Sequence, residues 1–195
     1  MNLLRNLLAL IGAAAVAMLI YCTVAWGPWL DRVGALDDRA METYAELFKK
    51  VLETGNGAEA TVWKVKVEEG LTAADVEETM RSVAAEHNIK NVGELPLSKQ
   101  VEAMSGKPYR YVKIFMFCNA LTAAQMLDYN DAYSAYLPCR VTLVEDPQGQ
   151  LWIYSLNMDL MIYGGAPLPK ALREEALRVK RVILDIMNRG AAGEF

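Results

Sequence analysis

A run of apolar residues near the N-terminus, Leu7 to Trp26, constrains this chain most, because only Thr23 interrupts it. A helix needs about 20 such residues to cross the hydrocarbon core of a bilayer. Tyr21, Trp26 and Trp29 lie around the C-terminal end of the run, where amphipathic aromatic rings favour the headgroup region. The pattern predicts a transmembrane helix over residues 7–26, with a domain tethered to the membrane behind it.

Cleavage of this segment is the alternative, since Ala15 and Ala17 form an A-x-A signal-peptidase site. The residues after that site, Met18 to Ile20, are still strongly apolar, which argues against cleavage. A bulky tyrosine before Cys22 also makes a poor lipoprotein signal. We therefore expect an uncleaved single-span anchor.

The positive charges favour neither orientation strongly, because Arg5 precedes the span while Arg32 and Arg39 follow it. A short N-terminal segment followed by an apolar run is nevertheless typical of a signal-anchor. We expect a single-pass protein of a bacterial inner membrane with its C-terminal domain in the periplasm. That compartment permits disulfide bonds.

The composition fits a single folded domain behind the anchor. The chain has 195 residues, 53% of them hydrophobic, and a net charge of −4. What remains after the span is large enough to bury a core. Its lysines and arginines do not form a track for a phosphate backbone, so we expect no nucleic-acid partner.

The segment 36–54 has the spacing of an amphipathic linker helix, with Met41, Tyr44, Phe48 and Val51 on one stripe. Two heptads are too few for an independent coiled coil. The stripe is expected either to pack on the domain or to mediate self-association beside the membrane. A glycine-rich turn at 54–57 marks the boundary of a domain over residues 58–190.

Alternation and helical spacing predict the element order β-α-α-β-α-β-β-α. This order predicts an α+β fold, an antiparallel or mixed sheet with helices mainly on one face, preceded by one transmembrane helix. The predicted elements are a strand at 61–67, a helix capped by Thr72 and Asp75, a helix at 97–104, a strand at 109–118, a helix at 121–136, strands at 140–145 and 151–156 around a hairpin turn, and a last helix from Pro169 to Gly190.

Cys118 and Cys139 lie at the edges of two apolar strand-like runs. Alternation places Cys118 on the face of Ile114 and Met116, and Cys139 with Val141, so both are expected to face the apolar side. Two such thiols can form a disulfide, bind a soft metal or simply fill a core. If a full helix returns the chain to a parallel neighbour, they lie too far apart for a disulfide. If the helix instead ends near Asn130, they lie side by side.

Further candidate ligands carry sulfur or nitrogen. Met158 and Met161 have the Met-x-x-Met spacing of Cu(I) sites, and Met116 precedes Cys118 on the same strand face. His87 is the single histidine, expected either as an axial haem ligand or as a partly exposed residue at a helix C-terminus. Methionine is also common core filler. The sequence identifies no particular cofactor.

No acyl-transfer, Walker A or dinucleotide-binding signature occurs in the sequence, which makes an enzyme the less favoured interpretation. Tyr129, Tyr133 and Tyr136 form an aromatic segment of the kind that lines pockets and interfaces.

The motifs around the two cysteines resemble DUF302, a bacterial and archaeal domain of unknown function. That family has a strand ending in Cys-Asn-Pro, a helix, and Leu-Pro-Cys-x-Val opening the next strand. Here Cys118, Asn119 and the segment 137–141 match, while Ala120 replaces the proline. The resemblance covers residues 58–189 and implies a compact α+β domain, often dimeric, with Cys118, Asn119 and Cys139 as ligand or redox candidates.

The leading hypothesis is a membrane-anchored periplasmic module that binds a partner or small ligand without catalysis. The alternatives are a thiol-redox or soft-metal protein, with copper or haem, that uses Cys118 and Cys139, and an accessory subunit of a larger membrane complex. The expected partners are the membrane itself and either a second copy or a membrane-complex subunit.

The expected orientation is tested by fusing alkaline phosphatase, which is active only outside the cytoplasm, to the C-terminus. We expect an active fusion in intact bacteria. A stable but inactive fusion would place the domain in the cytoplasm.

Overall fold

The computed structural model describes residues 2–195. For residues 2, 3, 28 and 30 it describes the backbone only. The helices are α1 (Asn2–Gly34), α2 (Ala40–Thr54), α3 (Gly57–Ala60), α4 (Ala73–Glu86), α5 (Leu97–Ser105), α6 (Ala120–Tyr129), α7 (Asp159–Tyr163) and α8 (Lys170–Ala192). The strands are β1 (Val62–Lys66), β2 (Lys90–Leu95), β3 (Val112–Cys118), β4 (Cys139–Glu145) and β5 (Leu151–Leu156). A 3₁₀ helix, Asp131–Tyr136, joins α6 to β4.

The five strands form one antiparallel sheet in the order β1-β5-β4-β3-β2. The predicted α+β class is therefore confirmed, in its antiparallel form. The sequence did not reveal β2, because this edge strand is mostly polar and contains Gly93 at a register shift. A Cβ on Gly93 would lie 2.7 Å from Met116 Cε, the end of a flexible side chain that can move aside.

The core lies between the sheet and helices α4 and α8. The buried side chains of β3, β4 and β5 lie on the face of the sheet that packs against those helices. The prediction that Ile114, Met116 and Cys118 mark the buried face of β3 was wrong. Phe115 and Phe117, on the opposite face, are fully buried, whereas Ile114 and Met116 are half-buried. Both faces of β3 are apolar, so alternation alone did not distinguish them.

Two predicted helix ends differ from the structure. The helix after Cys118 ends at Tyr129, and the side chain of Asn130 caps the 3₁₀ helix that follows by accepting a hydrogen bond from the backbone of Ala132. Helix α8 continues through Gly190 and ends at Gly193, which has a positive φ of 68°. A Cβ on Gly190 would lie 2.6 Å from Met80 Cγ, so this glycine brings α8 close to α4.

Helix α1 continues without a break past the predicted end of the span. Its segment Leu4–Gly27 is unburied, and it is the one helix among residues 2–195 that is long and apolar enough to cross a membrane. Helix α2 was predicted to pack on the domain through Met41, Tyr44 and Phe48. Packing on the domain is wrong for Met41 and Phe48, which are exposed, while Tyr44 and Val51 are partly covered and α2 buries Ala40 and Thr43. Self-association through the stripe, the alternative, stays a prediction.

Asp37 attaches the start of α2 to the domain. Its backbone N–H donates to the carbonyl of Gly165 at 2.8 Å, and its side chain is 1% exposed. The guanidinium of Arg173 donates to that buried carboxylate at 2.7 Å. A buried charge needs such a partner, so this ion pair fixes where the chain enters the domain.

A network of four charged side chains joins α4 to strands β2 and β3. Arg81 donates to both oxygens of Glu94, at 2.7 and 3.0 Å, and to Glu77 at 2.6 Å. The ammonium of Lys113 lies 2.7 Å from each of the two carboxylates, and the hydroxyl of Tyr111 donates to Glu77. The hydrogen bond from Arg81 outweighs burial and lowers the pKa of Glu94 to about 2.

Glu94→Gln tests this network. Because the pKa of Glu94 is below its ordinary value, its stabilisation is full above about pH 4.5 and is lost as the pH falls toward about 2. We expect the substitution to lower the free energy of unfolding by roughly 1–3 kcal/mol at pH 7, discounted for partial exposure, and by roughly half of that or less at pH 3.

The control is Glu78→Gln, an exposed residue of α4 that forms no ion pair with any described residue. Thermal unfolding of the full chain, followed by circular dichroism at both pH values, gives the comparison. An equal loss for Glu94→Gln at pH 7 and pH 3 would contradict a role for its charge.

Candidate functional site

The antiparallel pairing of β3 and β4 brings the two family-motif cysteines together. Phe117 lies directly opposite Cys139, so Cys118 is offset from Cys139 by one position along the neighbouring strand. This arrangement follows from the early end of α6, and it rules out the parallel crossover that would separate the thiols. Both cysteines are free thiols.

The two thiols line an apolar cavity between the ends of β3 and β4 and helices α6 and α8, which we call the thiol cavity. Its empty volume is about 520 Å³ including its mouth, and the space open to the centre of a water molecule is about 40 Å³. That space admits a few waters or a slender ligand. The lining residues are Ile89, Phe117, Cys118, Asn119, Thr122, Ala123, Met126, Tyr133, Tyr136, Leu137, Cys139, Met158, Met161, Val179 and Ile183.

Five of the seven residues that the sequence singled out as site or metal candidates line this cavity. They are Cys118, Asn119, Cys139, Met158 and Met161. Two cysteines and two methionines therefore line one cavity, although the β4–β5 hairpin separates Cys139 from Met158 and Met161 in the sequence. The core-facing residues of α8 that complete the wall, Val179 and Ile183, carry no sequence signal that distinguishes cavity lining from ordinary core.

Met116 and His87 lie elsewhere. Met116 is on the opposite face of the sheet, beneath Gly93. His87 caps the C-terminus of α4, and its Nε2 lies 2.7 Å from a carboxylate oxygen of Asp185. No group of three or more His, Cys, Asp or Glu side chains that could bind a metal ion occurs within residues 2–195. A metal in the thiol cavity would thus depend on thioether ligands.

Asn119 and Thr122 form the polar edge of the cavity. The Asn119 side-chain oxygen accepts hydrogen bonds from the backbone N–H groups of Leu121 and Thr122, at 3.1 and 3.2 Å, and so caps α6. The Thr122 hydroxyl donates to Glu175 at 3.0 Å and accepts from Arg178 at 3.1 Å. The hydroxyl is therefore satisfied, whereas the side-chain nitrogen of Asn119 makes no hydrogen bond within the described chain.

Two tyrosines of the 3₁₀ helix, Tyr133 and Tyr136, line the cavity, and Tyr129 precedes them at the end of α6. The rings of Tyr129, Tyr133 and Tyr136 follow one another at centroid distances of 6.1 and 6.5 Å. The Tyr133 hydroxyl donates to the carbonyl of Met161 at 3.2 Å, which ties the 3₁₀ helix to α7. Tyr136 and Met161 also line the surface groove beneath α2, so they separate the cavity from that groove.

Burial determines the protonation of both thiols. It raises the pKa of Cys139 to about 11, with a further contribution from the nearby Cys118. Burial also raises the pKa of Cys118. Because the thiolate is the nucleophile and the metal ligand, the raised pKa values disfavour the reactive form of both residues at neutral pH.

Comparison with known proteins agrees with this geometry. Residues 63–189 match the family model "Domain of unknown function DUF302". A crystal structure titled as an uncharacterized conserved protein DUF302 from Bacillus stearothermophilus has the same fold, with a TM-score of 0.54 at 16% identity, over 66% of this chain and 97% of that chain. No curated protein matches the sequence. The chain belongs to the DUF302 family.

Thiol labelling tests the burial of the two cysteines. We expect Cys118 and Cys139 to resist N-ethylmaleimide in the native chain at pH 7 and to react after denaturation, because burial raises both pKa values. Cys118, which is less buried, should react before Cys139 as the pH rises. A Cys22→Ser background removes the thiol of the span.

Labelling after denaturation with and without a reductant separates free thiols from a disulfide, since only a disulfide requires the reductant. Rapid labelling of the native chain at neutral pH would contradict the buried, protonated state and would favour a redox role.

Proposed function

We propose that this protein is a membrane-anchored DUF302 domain that binds a small, slender, apolar ligand in the thiol cavity. The observation that supports this most is the convergence of the family-motif residues Cys118, Asn119 and Cys139 on one enclosed apolar space. Ligand sites are typically concave, mostly apolar and equipped with a few polar groups that fix orientation. The free side-chain nitrogen of Asn119 is the polar group available for that purpose.

Binding without catalysis is the activity we propose, because burial keeps both thiols protonated. In this proposal α1 spans a bacterial inner membrane with the domain on the periplasmic side. The unburied apolar segment Leu4–Gly27 supports the span. The short N-terminal segment before the apolar run, which is typical of a signal-anchor, supports the orientation. A second copy or a membrane-complex subunit as partner stays a prediction.

Cu(I) is the second candidate ligand. It is favoured by one observation, that the sulfur atoms of Cys118, Cys139, Met158 and Met161 belong to residues lining the same cavity. Soft thiolate and thioether ligands select Cu(I). Metal binding would displace the thiol protons, which are otherwise retained at neutral pH.

Methyl NMR of the full chain in detergent, with ¹³C-labelled methionine, tests the apolar-ligand proposal, and indole is the probe. We expect saturable ring-current shifts at Met126, Met158 and Met161, which line the cavity, and none at Met104 and Met116, which do not. Ala123→Leu should fill the cavity and abolish the shifts. Ala124→Leu, one residue along on the exposed side of α6, is the matched control and should retain them.

Titration of the same sample with Cu(I) distinguishes the two candidates. Shifts at Met158 and Met161 that saturate at about one equivalent, that are lost in Cys118→Ser or Cys139→Ser and that persist in Cys22→Ser, would favour the metal. Indole shifts that are absent, or that are equal in the two alanine variants, would exclude the cavity as an apolar site.

A further inference from the structure

Helix α2 carries an exposed apolar stripe that the domain does not cover. The stripe consists of Met41, Tyr44, Phe48 and Leu52, which are 63%, 44%, 61% and 69% exposed. Their spacing of three, four and four residues places them along one line of the helix. An exposed apolar patch on the order of a few hundred Å² marks an interaction site more often than chance placement.

The remaining surface of α2 is divided between two other environments. Ala40 and Thr43 are buried against the domain. Glu42 and Lys49 lie on the side away from both the domain and the stripe, whereas Glu46, Lys50 and Glu53 border grooves between α2 and the domain. The helix thus has one face for the domain, one for water and one for an apolar environment, which is the pattern of helices at membrane interfaces.

The position of α2 in the chain brings it close to the proposed membrane span. Five residues, 35–39, connect α1 to α2, and an extended chain of that length reaches at most about 18 Å. Asp37, in the middle of this connection, is held to the domain by Gly165 and Arg173. The interfacial aromatic residues Trp26 and Trp29 are exposed near the end of α1. The start of α2 therefore lies within about 18 Å of the end of α1, on the side where the proposed span leaves the membrane.

We infer that the stripe of α2 lies in the headgroup and acyl-chain boundary of the leaflet where α1 leaves the membrane, with α2 parallel to the membrane surface. The inference rests on the proposed membrane span. A second copy is the less suitable occupant, because a stable protein interface uses about 20–30 residues on each side and the stripe consists of four. Tyr44 suits the boundary, since its hydroxyl donates to the carbonyl of Gly164 at 2.6 Å while its ring remains half-exposed.

Spin labels on single introduced cysteines test the inference in the full chain. The chain is reconstituted in nanodiscs of phosphatidylcholine and phosphatidylglycerol on a Cys22→Ser background, and protein without an added cysteine gives the residual signal of the native thiols. The labelled variants are Phe48→Cys on the stripe, Lys49→Cys on the charged side as the matched control, and Val16→Cys within the span. Collision with lipid-soluble oxygen is compared with collision with water-soluble nickel(II) ethylenediaminediacetate.

We expect the oxygen-to-nickel ratio to be several-fold higher for Phe48→Cys than for Lys49→Cys, and high for Val16→Cys. A nickel-accessible label at position 48 beside a lipid-exposed label at position 16 would overturn the inference and leave the span intact. A label at position 48 that neither reagent reaches would overturn it in favour of a protein partner. A nickel-accessible label at position 16 would overturn the proposed span itself.

Discussion

The packing of α8 on the antiparallel sheet is the interaction on which the rest of the structure depends. Ile183 and Ile186 of this helix, with Leu143 and Ile153 of the central strands, are almost completely buried. Burying side chains of this size contributes about 1.5–3 kcal/mol each, which makes this layer the main source of stability in the domain. Gly190 extends the contact by letting α4 approach the same helix.

The polar side of α8 joins the peripheral parts of the protein to that layer. Arg173 pairs with Asp37 at the entrance to α2, Lys180 pairs with Asp159 of α7, and Arg189 pairs with Glu86 of α4. Glu175 and Arg178 reach Thr122 of α6. The pairs at exposed positions contribute little individually. The pair with Asp37 differs, because its carboxylate is buried and needs the guanidinium.

The thiol cavity lies at the ends of β3 and β4, where the packing between the sheet and the helices leaves a gap. Helix α6 is short, and the 3₁₀ helix that follows it covers the ends of β3 and β4 with tyrosines instead of aliphatic side chains. The apolar surroundings raise the pKa of both cysteines and leave their sulfur atoms as soft, uncharged groups. The same burial that would favour the proposed apolar ligand disfavours the thiolate, so ligand binding and redox chemistry would make opposite demands on this site.

Local sequence signals determined the elements whose physical cause is local. The apolar run predicted α1, the capping residues Thr72 and Asp75 predicted the start of α4, and the Leu-Pro-Cys segment indicated the family. The order of the predicted strands and helices indicated the α+β class. These features depend on neighbouring residues, so one sequence is enough to recognise them. The candidate residues Cys118, Asn119 and Cys139 were recognised in the same way, through a short contiguous motif.

Tertiary structure decided what depends on residues far apart in the chain. Both faces of β3 are apolar, so only the packing of α4 and α8 determined that Phe115 and Phe117 face the core. The polar edge strand β2 acquires its structure from pairing with β3, and the stripe of α2 is exposed because a neighbouring face of that helix packs on the domain. The two cysteines lie close together because α6 ends early, at Tyr129, and β4 then pairs antiparallel with β3. The sequence by itself identified the candidate site residues, and the tertiary structure decided which of them share a cavity, because long-range packing that no local pattern encodes brings them together.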